Sequence, residues 1–310
     1  MKIKVVVLSF LITAFLSLNF VIPQLAQEHL QAHMTDVQDA VYKYGLELTF
    51  EDVRLSYIPL RIRINKLNIN TKEGEKVLST DRVDFSSWSF VELYNITQGE
   101  MDFGDLTKLK ISVQKLELNE VYLSPRLKSA LTELGYEKLV LNIVSDYDYK
   151  VETRDFYLNE LSVEGLQMGK LSVSAHLTDF SLPNGLDLKD MSQFQQSSVK
   201  RFSVEYVDNS LMTSVRSLAE KNNVSLDRYI AFEKTDTKRD PANIEDSEIK
   251  TGLRDFLHNP QSVKLAVTPD KEIPFKDISL MMMLSPYKLI ESLQPSLQIN
   301  GSTVQLYKGN

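Results

Sequence analysis

The four histidines are the side chains best suited to metal chemistry in this sequence. His29 and His33 are four residues apart on a predicted helix, a spacing that lets two imidazoles share one metal ion. Glu28 is the neighbouring candidate for a third ligand, and no other is evident. We therefore interpret both histidines as solvated or interfacial. His176 and His258 are isolated in the sequence, and we expect each to be a surface or packing residue.

Carboxylates cluster between residues 146 and 155, at Asp146, Asp148, Glu152 and Asp155. Two acids can hydrolyse a glycosidic bond when a cleft holds them at a fixed separation. These four lie in or beside a polar turn around residues 147–149, a pattern that is typical of a hairpin tip. We interpret them as exposed, and a carboxylate-dependent hydrolase is the third-ranked hypothesis.

Signatures of known catalytic machinery are missing from the sequence. No Gly-x-Ser-x-Gly elbow, phosphate-binding Gly-rich loop or His-Glu-x-x-His helix occurs. The chain has no cysteine, which removes thiolate nucleophiles and cysteine-ligated zinc sites. Its formal net charge of −7 argues against nucleic-acid binding, which requires clustered Lys and Arg. The sequence therefore predicts a protein that is not an enzyme, with no catalytic residue, cofactor or bound metal.

The N-terminus contains an apolar run long enough to cross a membrane. Residues Val5 to Ile22 carry no charge and follow Lys2 and Lys4. At about 1.5 Å per residue they reach roughly 27 Å, close to the hydrocarbon thickness of a bilayer. We interpret residues 1–23 as an uncleaved signal anchor; a cleaved signal peptide is the alternative. The two lysines predict a cytoplasmic N-terminus and an exported body after Pro23.

The hydrophobic pattern divides the exported part into three regions. Residues 24–45 have helical spacing and end at Gly45, which predicts a juxtamembrane helix. Residues 46–209 alternate apolar and polar side chains, which predicts an antiparallel β body built from hairpins. Residues 210–310 mix helices and strands and end in a hairpin at Asn300-Gly301. The stripe of the predicted first helix consists of Leu30, Met34, Val37, Val41 and Tyr44.

Two short runs have more than one interpretation. Arg61 and Arg63 alternate with aliphatic residues, so we interpret them as the solvated face of a strand rather than an anion site. The run from Met281 to Leu284 is a soft, adaptable apolar patch. We expect it to pack in the core, and a flexible contact with lipid or a partner is the alternative.

The residues after the first predicted helix resemble a known family. The sequence Leu46-Glu-Leu-Thr-Phe-Glu-Asp-Val-Arg-Leu-Ser-Tyr-Ile-Pro-Leu-Arg-Ile-Arg-Ile-Asn-Lys-Leu-Asn-Ile69, continued by Val77-Leu-Ser-Thr-Asp-Arg-Val-Asp-Phe85, resembles the start of AsmA-like proteins. The resemblance is best over Met1 to Leu123 and is a pattern of residue types. The C-terminal part looks like uncharacterised bacterial proteins of similar layout.

The resemblance to the AsmA/TamB group implies a bacterial envelope protein with one inner-membrane span and a periplasmic body. It implies a mainly β fold: an elongated, curved antiparallel sheet with an apolar inner face and a few packed helices, mostly C-terminal. It also implies a non-catalytic role in phospholipid binding or transport, or in outer-membrane homeostasis. The chain is much shorter than members thought to bridge the periplasm, which places transport between membranes by one copy in doubt.

Aliphatic positions on one face of the predicted strands are the candidates for contact with lipid. They are Leu60, Ile62, Ile64, Ile111, Val113, Leu141, Ile143, Val163 and Val173. A curled sheet can cover acyl chains with its aliphatic face. The alternative is a closed core beneath the helices, and alternation does not distinguish the two. A second hypothesis for the whole protein is a structural or accessory subunit of an envelope or secretion complex, acting through protein–protein contacts.

Overall fold

The computed structural model describes residues 22–57, 60–86, 107–181, 196–224 and 246–304. Contacts divide the chain into two compact units, Met1–Asn119 and Glu120–Asn310. The boundary predicted at residues 209 and 210 therefore falls inside the second unit. The predicted anchor, apart from Ile22, lies outside the described residues. Within the described ranges, no helix combines the length and the apolarity needed to cross a bilayer.

The first unit is one helix and an antiparallel sheet. The helix is α1 (Ile22–Lys43), and the strands are β1 (Leu46–Thr49), β2 (Asp52–Tyr57), β3 (Leu60–Thr71), β4 (Lys76–Ser86) and β5 (Lys108–Leu118). β1 and β2 pair one after the other along the same side of β3, and β4 and β5 follow on its other side. The prediction of antiparallel strands from residue 46 onward is confirmed here.

α1 packs its apolar stripe on this sheet. Leu30 and Met34 are buried, and Val37 and Val41 pack against the same cluster. The predicted stripe is confirmed at these four positions and is wrong at Tyr44, which is 86% exposed because the helix has already ended. The stop coincides with Gly45 at φ 83°, a left-handed conformation that glycine adopts without a Cβ clash.

Single left-handed residues keep the aliphatic side chains of the long strands on one face. In β3 the apolar positions change from even numbers, at Ile62 and Ile64, to odd numbers, at Leu67 and Ile69. The change occurs across Lys66, whose φ is 49°, while the pairing of β3 with β4 continues on both sides. Lys115 has a φ of 51° at the corresponding change in β5. Segments that the alternation predicts as separate strands are therefore continuous.

The second unit carries a larger antiparallel sheet. Its strands are β6 (Val140–Lys150), β7 (Asp155–Gly165), β8 (Gly169–Thr178), β9 (Ser198–Asp208), β10 (Ser262–Val267), β11 (Ile273–Pro274), β12 (Pro295–Ile299) and β13 (Ser302–Val304). The order across the sheet is β6-β7-β8-β9-β10-β12-β13, with β11 also paired to β9. Asn300 and Gly301 both have positive φ between β12 and β13, so the predicted hairpin is confirmed.

Five α-helices are described in the second unit. They are α2 (Pro125–Glu133), α3 (Leu211–Lys221), α4 (Asp246–His258), α5 (Phe275–Leu284) and α6 (Pro286–Leu293), and a short 3-10 helix (Glu120–Tyr122) precedes them. α2 begins as its sequence predicts, because the Ser124 hydroxyl accepts a hydrogen bond from the Leu127 N–H and Pro125 occupies the first turn. β9 and α5 were not predicted. The coarse prediction, a mainly β antiparallel fold with a few helices, is confirmed.

Candidate functional site

In the first unit, the predicted lipid-contacting residues lie under α1. Ile62 is 3% exposed and Ile64 is 6% exposed, and both belong to the cluster that contains Leu30 and Met34 of the helix. Leu60 and Val113 pack against that cluster as partly buried residues. Ile111 is half-buried and pairs with Phe85, which also packs against the cluster. The closed-core alternative therefore describes this face of the first unit.

In the second unit, the centre of the aliphatic face of the sheet is exposed. Leu161, Val163, Leu171 and Leu265 are between 38% and 47% exposed. Residues that pair directly in an antiparallel sheet point to the same side. The pairing joins Leu161 to Val173, Val173 to Val204 and Val204 to Leu265, which gives a continuous row from β7 to β10. The aliphatic strip, as we name it, consists of Leu161, Val163, Leu171, Val173, Val204 and Leu265.

The remaining predicted residues adjoin the aliphatic strip. Ile143 pairs with Val163 and Leu141 pairs with Gly165, so both extend the same face onto β6, where they are half-buried. The structure thus brings together the four candidates of the second unit. Sequence analysis missed Leu161, Leu171, Val204 and Leu265. Leu161 and Leu171 had a signal, because each lies two residues from a chosen candidate on the same strand face.

Within the described ranges, helices cover the same face at both ends of the strands, and none of them shares a core cluster with the strip. At one end, Phe275 and Ile278 of α5 pack on a cluster of Leu177, Phe180 and Val199. At the other end, Phe256 of α4 is buried with Ile299 and Val304. The buried residues among these form two core clusters, and the strip belongs to neither. The exposed aliphatic surface is therefore bounded by well-packed regions of its own sheet.

A close backbone approach fixes one end of the strip. A Cβ atom on Gly169 would lie 2.7 Å from both the Val207 carbonyl oxygen and the Tyr206 hydroxyl. That hydroxyl donates to Asp208 Oδ1 at 2.6 Å, and the same oxygen accepts from the Met212 N–H at 3.0 Å in the first turn of α3. Burial raises the pKa of the Tyr206 phenol, and the Asp208 carboxylate raises it further. Tyr206 therefore stays neutral and ties α3 to the sheet.

The opposite face of this sheet is polar and holds an aspartate–histidine pair. His176 Nε2 is 3.1 Å from Asp155 Oδ1, and its ring stacks on Tyr157 with 4.1 Å between ring centroids. A hydrogen bond from Thr153 is the main cause of a lowered pKa at the Asp155 carboxyl; desolvation opposes it, and the contact with His176 lowers the pKa further. His176 therefore packs on a neighbouring strand, as expected of a surface or packing residue. His258 is exposed, and its Nδ1 lies 2.8 Å from the Arg254 carbonyl oxygen.

The acids considered for hydrolysis do not share a hairpin tip: residues 147–149 lie within β6, so the turn predicted there is wrong. Asp146 and Asp148 are in β6, where Asp146 accepts a hydrogen bond from Asn159 Nδ2 of β7 at 3.2 Å. Glu152 lies in the exposed turn between β6 and β7. No group of three or more His, Cys, Asp or Glu side chains among the described residues is placed to hold a metal ion. The side chains of His29 and His33 lie outside that description.

Arg63 binds a carboxylate of its own sheet. Its Nε is 2.8 Å from Asp84 Oδ1, and Asp84 is only 6% exposed. Arg82 Nε lies 3.0 Å from the second oxygen of Asp84 but without hydrogen-bonding geometry. The cross-strand pairing of Arg63 with Asp84 places this ion pair on the face opposite Ile62 and Ile64.

An acidic cavity lies beside α5 and α6. It has a volume of about 390 Å³, and Asp270, Glu272, Asp277 and Glu291 are among its lining residues together with Met281. Two of these carboxylates have neighbouring partners: Asp270 accepts from Gln294 Nε2, and Glu272 accepts from the Thr178 hydroxyl. The lining thus combines four carboxylates with Lys271 and with the apolar residues Ile273, Pro274 and Met281.

Comparison with known proteins gives little functional information. A family model described as an uncharacterized protein matches residues 162–300, which run from β7 to the turn after β12 and include most of the aliphatic strip. The match covers less than half of the 310 residues. No curated protein matches the chain.

Proposed function

We propose that this chain is a non-catalytic, AsmA-like envelope protein that binds the acyl chains of a phospholipid on its aliphatic strip. In this proposal residues 1–23 anchor it in the bacterial inner membrane and the body is periplasmic. The observation that carries the proposal is the strip itself, where four large aliphatic side chains remain more than a third exposed between two packed ends of the sheet face. Contiguous exposed apolar surface of this kind marks binding sites in soluble domains.

The dimensions of the strip suit an acyl chain. It crosses three inter-strand spacings, from β7 to β10, and at about 4.8 Å per spacing this gives roughly 14 Å. One leaflet of a bilayer is about 15 Å of hydrocarbon, which is the length an acyl chain fills. The strip contains only Leu and Val, so it presents no polar group that an alkyl chain would leave unpaired.

The closed face of the first unit limits this proposal to the second unit. Because α1 already covers Ile62 and Ile64, any lipid contact there requires α1 to leave the sheet. A closed first unit also favours the second candidate function, a structural or accessory subunit of an envelope complex. In that case the aliphatic strip is covered by a partner protein rather than by lipid.

Photo-crosslinking in intact cells distinguishes the two functions. A benzophenone amino acid replaces Leu171 in the strip or, as a control, Leu166, which is also exposed but lies in the turn between β7 and β8. Lipid binding predicts a phospholipid adduct at position 171, detected by mass spectrometry, and much less at position 166. One stoichiometric protein adduct at position 171 would instead establish the accessory subunit. Equal adduct formation at both positions would show that the strip is not a specific binding site.

The effect of a polar substitution provides an independent check. The L171S variant should lose most of the phospholipid that co-purifies with the protein, whereas L166S should retain it. Both substitutions replace an exposed leucine, so their effects on folding should be similarly small. Identical lipid content in the two variants would contradict the proposal.

A further inference from the structure

A second exposed apolar surface lies where α5 meets α6, outside the aliphatic strip. Its five residues are between 53% and 84% exposed, and we name them the apolar tip: Leu280, Met282, Met283, Leu284 and Tyr287. The expectation that the run from Met281 to Leu284 packs in the core is therefore wrong for three of its four residues. Only Met281 is partly covered, and it lines the acidic cavity.

The exposed apolar residues of α5 spread around more than half of the helix circumference. Successive residues are about 100° apart around an α-helix, so the four tip residues of α5 spread over roughly 200°. A groove on a partner protein takes a narrower stripe, at spacings of three and four residues. A bilayer instead surrounds whatever enters it. The width of the exposed arc therefore favours a bilayer over a protein groove.

Charged side chains around the tip are sorted by side. Lys276 is four residues before Leu280 and seven before Met283, which places it on the exposed apolar side of α5. Asp277 is four residues before Met281, and both line the cavity. On α6, Lys288 next to Tyr287 is exposed, and Glu291, one turn after Tyr287, is exposed and lines the cavity. The side of α5 that carries the tip thus has a cation, and the carboxylate is turned to the cavity.

We propose that the apolar tip inserts into the surface of a bilayer that contains anionic phospholipid. The Leu and Met side chains enter the acyl region, and methionine adapts to its irregular packing. The Tyr287 ring lies at the boundary, where its hydroxyl stays hydrated. Lys276 and Lys288 extend to the headgroup phosphates. This contact uses residues separate from the strip and from residues 1–23, and it goes beyond the function proposed above.

Depth-dependent fluorescence of the full chain in vesicles tests the insertion. Because the chain has no cysteine, M283C provides a single attachment site for an environment-sensitive probe, and T213C on the exposed side of α3 is the control. The vesicles contain phosphatidylglycerol and lipids brominated on their acyl chains. We expect strong bromine quenching at position 283 and none at position 213. Tethering by the N-terminus cannot by itself produce quenching at position 283, since quenching requires entry into the acyl region.

Variants of the two lysines test the charge contribution. K276Q and K288Q should each shift the insertion equilibrium measured by quenching roughly fivefold toward water. Neutral vesicles remove the attraction of both lysines and should shift it roughly 25-fold. A probe at position 283 that stays as hydrated as the control, in protein shown by flotation to be on the vesicles, would overturn the proposal. So would a benzophenone at Leu284 that captures one protein in cells. Neither result bears on the adduct at Leu171, so the two proposals fail independently.

Discussion

Replacing Ile62 or Leu171 by alanine should have very different effects, although both side chains belong to the same alternating pattern. Ile62 is 3% exposed beneath α1, and its truncation removes three carbons. At about 0.8 kcal/mol per buried methylene this is roughly 2.4 kcal/mol, and the cavity left behind raises it to about 3–4 kcal/mol. Leu171 is 47% exposed and leaves no enclosed cavity, so L171A should lose only about 1 kcal/mol.

Hydrogen exchange followed by mass spectrometry measures these free energies of opening separately in each unit. We expect I62A to lower protection in β3 and β4 by about 3–4 kcal/mol, and L171A to lower it in β7 and β8 by about 1 kcal/mol. The milder I62V, expected to lose about 1 kcal/mol, keeps the comparison measurable if I62A does not fold. A loss of 3 kcal/mol or more for L171A would mean that the strip is covered, and the reasoning would be refuted.

Two further substitutions have matched controls, and a third is tested by its pH dependence. D84N should lower the free energy of unfolding by about 1–2 kcal/mol because it uncouples two arginines from a buried carboxylate, whereas D81N, in an exposed pair, should change it by less than about 0.5 kcal/mol in urea denaturation. G169A should lose about 1–3 kcal/mol, since its Cβ meets a backbone oxygen, while G165A, facing a flexible methionine, should lose less in the same assay. The lowered pKa of Asp155 stabilises the fold above the ordinary value of 3.8, and this stability is lost as pH falls further. In D155N the free energy of unfolding should therefore fall less steeply as the pH drops below 3.8. An unchanged pH dependence would show that Asp155 does not contribute to it.

The sequence predicts the type and direction of most elements because local patterns determine them. The stripe of α1, the Ser124-Pro125 start of α2 and the Asn300-Gly301 hairpin each depend on a few neighbouring residues. Strand continuity was harder to predict, since one left-handed residue such as Lys66 reverses the alternation without ending the strand. The reversal is itself visible as a change from even to odd apolar positions.

The candidate site could be predicted only in part, because exposure is decided far along the chain. Ile62 and Val163 have the same kind of neighbours in sequence, yet one lies under α1 and the other lies between two covered regions of its sheet. β9, which contributes Val204 to the strip, was missed despite the alternation of Phe202, Val204 and Tyr206. The run from Met281 to Leu284 was predicted to be core because a run of large apolar residues is usually buried, and three of its four residues are exposed.

The packing of α1 on the first sheet includes the side chain of Gln27, which binds backbone groups at the sheet edge. Its side-chain amide donates to the Val53 carbonyl oxygen, and its oxygen accepts from the Leu55 N–H at 2.8 Å, while Gln38 donates to the Leu48 carbonyl oxygen at 2.9 Å. These backbone groups belong to β1 and β2, where a strand from another molecule would otherwise add itself. The amides of α1 occupy those positions, so a recruited strand would have to displace them. Polymerisation by strand addition at the edge formed by β1 and β2 is therefore disfavoured by two side chains that also hold α1 on the sheet.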